Sequence, residues 1–164
     1  MRYHIKEGNH YKSNIGLKLH SGLTGINFSF IFDSSCWYKK INKDSLDINK
    51  LFGLSYGPHH KNSIRLGWVP DFENIGKIQL WSYVYNKGKR TFNHICDCNI
   101  SDNYLVSFKV ENNQLTIFIV GNEFCSIFKE NFEIPKFKIG YFLYPYFGGD
   151  NPAPHDIAID INLI

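Results

Sequence analysis

Arginine is scarce in this 164-residue chain: Arg2, Arg65 and Arg90 are the only three. The 18 Lys and Arg stand against 15 Asp and Glu, a formal net charge of +3. The lysines are scattered rather than gathered on a stripe, which excludes a duplex nucleic-acid surface. No apolar run approaches the ~20 residues of a membrane-spanning helix, so no membrane partner is expected. The opening residues lack the apolar core of a secretory signal, so the expected location is the cytoplasm. A virion-associated or trimmed form would read the same way. Also missing are a Gly-x-Ser-x-Gly elbow, a Walker loop, a dinucleotide fingerprint, a His-Glu-x-x-His zinc motif and an EF-hand spacing. No cofactor or metal is therefore expected, and no residue is assigned as catalytic.

The 4 cysteines offer one local cluster, His94-Ile95-Cys96-Asp97-Cys98. Zinc sites favour Cys pairs separated by two to four residues with a second pair elsewhere, whereas a single residue separates Cys96 from Cys98 and no second pair is close. On an extended strand both thiols share one face, which reads as small buried hydrophobes.

What the chain has in excess is aromatic: 14 Phe, 10 Tyr and 3 Trp. Many of these fall into period-two alternation. Phe28, Phe30 and Phe32 alternate with Ser29, Ile31 and Asp33. Ile64, Leu66 and Trp68 alternate with Ser63, Arg65 and Gly67. Ile78, Leu80, Ser82 and Val84 alternate with Gln79, Trp81, Tyr83 and Tyr85. Each run predicts a half-buried antiparallel strand, and about ten such strands are expected. Asn86-Lys87-Gly88-Lys89 and Glu111-Asn112-Asn113-Gln114 predict hairpin turns. The pattern is all-β: a two-sheet antiparallel sandwich of jelly-roll type, one domain over residues 1–164. At most one short helix is expected, around Leu46–Phe52.

Two long segments interrupt the strands. Residues 34–61 end in Tyr56-Gly57-Pro58-His59-His60, and residues 144–156 are rich in Pro and Gly. Long loops on a compact scaffold carry function disproportionately. Trp81, Tyr83 and Tyr85 lie opposite the aliphatic side of their strand, where they read as a partly exposed platform or as a second layer under the long insertion. Rings beside hydrogen-bonding groups suit sugars, since the apolar pyranose face stacks while its hydroxyls bond at the rim. Arg65 points away from its apolar neighbours, so it pairs with a carboxylate or meets a ligand. His59 and His60, taken as strand neighbours, would face opposite sides. Asp156 and Asp160 are about 13 Å apart at ordinary strand rise, too far for either kind of glycosidase pair.

The last quarter, Ile139-Gly140-Tyr141-Phe142-Leu143-Tyr144-Pro145-Tyr146-Phe147, a Gly/Pro loop and His155-Asp156-Ile157-Ala158-Ile159-Asp160-Ile161, resembles the closing strands of concanavalin A-like jelly rolls. The resemblance implies a superfamily of lectins, SPRY-type interaction modules, glucanases and alginate-lyase-like enzymes. The paired glutamates of the glucanases are absent, and Arg65 and Tyr141 echo the Arg- and Tyr-bearing strands of the lyases.

The leading expectation is a non-catalytic, lectin-like module for carbohydrate or another small polar ligand. Its binding residues would be Trp81, Tyr83, Tyr85, Arg65, His59, His60, Tyr146 and Asp150. The alternatives are a polysaccharide lyase or hydrolase using His59 or His60 as base, Arg65 against a carboxylate and a tyrosine as acid, or a virion or SPRY-like interaction subunit. A homo-oligomer is compatible with each. Convergence of His, Arg and Tyr in one groove separates the enzyme from the module.

Overall fold

The computed structural model describes residues 1–13, 15–39, 47–122, 124–136 and 139–164. In chain order the strands are β1 (Arg2–Ile5), β2 (Leu19–Ser21), β3 (Gly25–Phe32), β4 (Asn49–Ser55), β5 (Ser63–Pro70) and β6 (Lys77–Asn86). They continue with β7 (Lys89–Asn99), β8 (Asn103–Glu111), β9 (Gln114–Val120), β10 (Cys125–Asn131), β11 (Ile139–Leu143) and β12 (Ile157–Leu163). A 3-10 turn at Ser34–Cys36 is the only helical element among the described residues. The strands form two six-stranded antiparallel sheets, ordered β1-β12-β3-β8-β9-β10 and β2-β11-β4-β5-β6-β7. The all-β sandwich read from the alternation is what the chain forms, with twelve strands rather than ten.

Alternation decides which face is buried. Phe28, Phe30, Phe32, Phe108, Ile117 and Ile159 from one sheet meet Phe52, Leu66, Trp68, Ile78 and Leu80 from the other, all essentially without exposure. Rings lock across the gap edge to face, Phe28 against Phe52 at 5.2 Å, while Phe32 and Trp68 sit tilted at 5.3 Å. Aromatic pairs in this separation range add about 0.5–1.5 kcal/mol each beyond their burial. The hairpins turn where the sequence demands it: Lys87, Gly88, Asn112 and Asn113 all have positive φ, as a two-residue primed turn requires.

The expected helix around Leu46–Phe52 is not formed. Its first residue lies outside the described ones, and from Asn49 the chain is strand β4. The reason is tertiary. β4 is an interior strand between β11 and β5, and a bulge between Lys50 and Phe52 lets Leu51, Phe52 and Leu54 all bury. That crowded apolar run mimics a short helix in one dimension. The region expected to be one long insertion thus supplies a central strand.

Candidate functional site

The outer face of the β2–β7 sheet is built from the residues that the core rejects. On β5 these are Ser63, Arg65, Gly67 and Val69, and on β6 Gln79, Trp81, Tyr83 and Tyr85. Register brings them into rows across the strands. Arg65 is opposite Tyr83, which is opposite Phe92. One row along, Ser63, Tyr85 and Arg90 are aligned. In the other direction Lys50, Gly67, Trp81 and His94 follow one another across β4 to β7. Tyr141 joins from β11, its backbone tied to the Ser55 hydroxyl in both directions at 3.0 and 3.1 Å.

Arg65 is only 8% exposed, and no carboxylate pairs with it among the described residues. Its Nε is buried with no hydrogen-bond partner. Burial pulls its pKa down, and Tyr83, Tyr141 and Tyr85 around it pull the other way. A guanidinium keeps its charge in proteins regardless, so this is a buried cation walled by phenols.

Lys50 is a second buried cation. Its Nζ donates to the Gly148 carbonyl at 2.8 Å and lies 5.0 Å from the Tyr83 ring centroid and 5.8 Å from that of Tyr146. Desolvation, reinforced by Arg65 and Arg90, lowers its pKa to about 8. The Pro/Gly loop that holds it is clamped in turn. Gly148 N–H donates to Asn49 Oδ1 at 2.5 Å, and the backbone N–H groups of Gly149 and Asp150 donate to Asp47 Oδ2 at 3.1 and 3.0 Å. Gly148 has a φ of +61°, a conformation that suits glycine.

Nearer β11, Nδ1 of His59 and the Tyr141 hydroxyl share a 2.7 Å hydrogen bond. Desolvation first, then Arg65 and His60, lower the His59 pKa to about 4. His59 is therefore a neutral imidazole at neutral pH, hydrogen-bonded to a phenol beside a buried guanidinium. The His60 ring stands edge to face with His59 at 4.2 Å and tilts against Tyr85 at 5.4 Å.

The sequence-predicted residues thus fall largely on one face, though not all as expected. His59 and His60 lie in a turn rather than on a strand, so strand parity does not separate them, and their rings touch. Tyr83 is not part of an open platform. It is buried with Ile48 and Val69, and Phe72, Trp81 and Tyr85 pack against this small outer cluster. Trp81 and Tyr85 stay half-buried. Tyr146 stacks on His10 at 5.2 Å and on Tyr11 at 6.2 Å. Asp150 is exposed and lines a cavity of about 380 Å³ with Lys50, Tyr83, Arg90 and Phe92. Lys50, which sequence reasoning missed, belongs with these residues. A lone lysine flanked by Ile48, Leu51 and Phe52 was its only signal.

The His94 cluster takes a different course. His94 Nε2 and Asp97 Oδ1 pair at 2.8 Å on the surface, and the Cys98 thiol is buried, donating to the Ile78 carbonyl at 3.4 Å. Among the described residues no group of three or more His, Cys, Asp or Glu could hold a metal ion. Asp156 and Asp160 have structural roles: one accepts from the Glu7 N–H and the other pairs with Arg2.

No family model matches the sequence, and no curated protein matches it either. Solved structures do share the fold. An alginate lyase from Klebsiella pneumoniae superposes with a TM-score of 0.64 at 7% identity, covering 85% of this chain and 58% of that one. The chain therefore spans little more than half the length of that enzyme. A protein of unknown function from Saccharomyces cerevisiae superposes with a TM-score of 0.58 at 9% identity, covering 98% of this chain and 84% of its own. A carbohydrate-binding module from Bacillus subtilis, at a TM-score of 0.41, 8% identity and 99% and 80% coverage, is too distant to bear on the argument. At these identities the likeness shows the fold alone.

Proposed function

We propose that the outer face of the β2–β7 sheet binds an acidic polysaccharide, as a carbohydrate-recognising member of the concanavalin A-like sandwiches. The observation that carries this reading is Arg65: a buried guanidinium among three tyrosines, with no carboxylate paired to it among the described residues. Such a charge is costly to bury, and a sugar carboxylate or sulfate supplies the missing partner in the bidentate geometry arginine favours. Trp81, Tyr85 and the two histidines provide ring faces and hydrogen-bonding edges for the sugar. The fold shared with an alginate lyase is in keeping with such a ligand.

A second reading, β-elimination of a uronate chain, is favoured by one specific contact, the His59–Tyr141 hydrogen bond. Elimination needs a neutralised carboxylate, a base for the C5 proton and an acid for the leaving oxygen. Arg65 would meet the carboxylate. Neutral His59 would take the C5 proton as the C4–O4 bond breaks and the C4=C5 double bond forms. The Tyr141 hydroxyl would protonate O4. Positioned general acid–base groups contribute about 10²–10⁴-fold to such steps.

Calorimetric titration with polygalacturonate, alginate and a neutral glucan tests the first reading. The polyuronates are expected to bind, more weakly as salt rises, and the glucan not to bind. Equal binding of all three, or none, overturns it. Incubation with the same polyuronates tests the second through ultraviolet absorbance of the conjugated product. Flat absorbance with intact binding leaves a module and removes the enzyme.

A further inference from the structure

We propose that the cavity beside Tyr83, walled by Lys50, Arg90 and Phe92, is a second sugar subsite that takes the acidic residue adjacent to the one held at Arg65. The proposal rests on the acidic-polysaccharide reading above and narrows its ligand to chains with a charge on consecutive residues.

Register supplies the spacing. Arg65 stands on β5 and Arg90 on β7, with Tyr83 and Tyr85 of β6 between them, so the two guanidinium-bearing strands are two spacings apart, about 10 Å. Two linked sugar rings span a comparable length. Tyr83 lies between the two strands, opposite Arg65 on one and Phe92 on the other, and Lys50 reaches over its ring from β4.

The cavity is furnished for an anion. An ammonium has three donors, and Lys50 commits one to the Gly148 carbonyl, leaving two with no protein partner among the described residues. Arg90 faces it from the edge strand, its Cζ 5.8 Å from the Phe92 ring centroid, and no carboxylate pairs with Arg90 among the described residues. Of the two acids in the wall, Asp47 is engaged by the backbone N–H groups of Gly149 and Asp150. Asp150 makes no ion pair with Lys50, and its carboxylate is free to accept from a sugar hydroxyl. Phe92, 48% exposed, offers the flat face against which a pyranose stacks. The volume of about 380 Å³ has room for such a ring, and the clamp of Asn49 on Gly148 keeps the Lys50 wall in place.

Arg65 and Arg90, held two strand spacings apart, discriminate by charge spacing. A homopolymeric uronate engages both, whereas a chain with neutral sugars between its acids engages one. The test is calorimetric titration with galacturonate, mannuronate, their homodisaccharides, and a disaccharide of one uronate and one neutral sugar. The homodisaccharide that binds is expected to do so at least about tenfold more tightly than the mixed one, the value of a charge-assisted contact. Lys50→Gln and, as a surface change that spares the core, Arg90→Gln are each expected to cut that advantage severalfold. Arg65→Gln should weaken monosaccharide and disaccharides together. Equal affinity for homo- and mixed disaccharides, or an advantage untouched by Arg90→Gln, overturns the second subsite while the groove stands. No binding of any uronate overturns the groove reading itself.

Discussion

The outer faces of the two sheets handle charge in opposite ways. On the β1–β10 sheet the charges are largely exposed and several are paired: Arg2 bridges Asp33 at 2.7 Å and Asp160 at 2.8 Å, and Lys109 meets Glu111 at 2.9 Å. Between them the cross-strand partners Leu105 and Val120, and Ile127, are left in solvent. On the β2–β7 sheet the order reverses. Aromatic rings cover much of the surface, and among the described residues the buried cations Arg65 and Lys50 form no ion pair with a carboxylate. Exposed pairs contribute about 0–1 kcal/mol each, so the first face is close to energetically neutral. A buried, unpaired cation opposes folding. The second face therefore holds free energy that a ligand of opposite charge, on the reading proposed above, would recover.

Removing Arg65 should break the contrast most completely. Arg65→Leu is expected to weaken polyuronate binding by about 100-fold or more, the loss of a desolvated, charge-assisted pair. Chemical denaturation of the same variant should show stability unchanged or raised, because a buried charge has gone. Arg2→Leu is the control on the other face and should do the reverse, with stability falling slightly and binding intact.

Lys50 sharpens the contrast through pH. Its folded pKa of about 8 lies below the ordinary 10.5, and the groups that face it are Arg65, Arg90, Asp47, Asp150, Tyr83 and Tyr146. As pH rises through about 8 the ammonium is lost and uronate affinity should drop severalfold. Between about 8 and 10.5 the unfolded chain binds more protons than the folded one, so the Lys50 contribution to stability rises with pH. Affinity and stability thus move in opposite directions, and the difference between wild type and Lys50→Met in both profiles measures it.

His59 gives a smaller effect at the acid end. With a folded pKa of about 4 against 6.5, its neutral form is favoured by folding. Stability from this group is full above about 6.5, declines as pH falls, and levels off below about 4. Comparing denaturation of wild type and His59→Gln across that range isolates it. The smallest effect belongs to the exposed side of the other sheet, where Ile127→Lys should change stability by no more than about 0.5 kcal/mol and leave binding alone.

The fold was legible because alternation is a one-dimensional code. Phe28, Phe30, Phe32 and Ile64, Leu66, Trp68 advertise their buried face by parity, and the turns at Lys87-Gly88 and Asn112-Asn113 advertise theirs by residue type. The site was legible only in part. Arg65 showed itself as a lone charge on an apolar strand, and His59 as the end of a long loop. Tyr83 was legible only as a choice between open platform and covered layer, since parity states which face a ring occupies and not what lies over that face. Lys50 was lost because a bulged interior strand breaks the period that would have revealed it.

The aromatic surplus, the alternation and the turn residues by themselves determine a two-sheet antiparallel sandwich with a phenylalanine-rich core, because burying one face of a strand is a local property of its pattern. Which of the remaining side chains meet was decided by tertiary structure. Register set Arg65 beside Tyr83 and Phe92, the turn at Pro58–Asn62 brought His59 to Tyr141, and the Gly148 loop folded back to hold Lys50. Those contacts join residues distant along the chain, and only the pairing of strands in three dimensions brings their charges and rings within reach of one ligand.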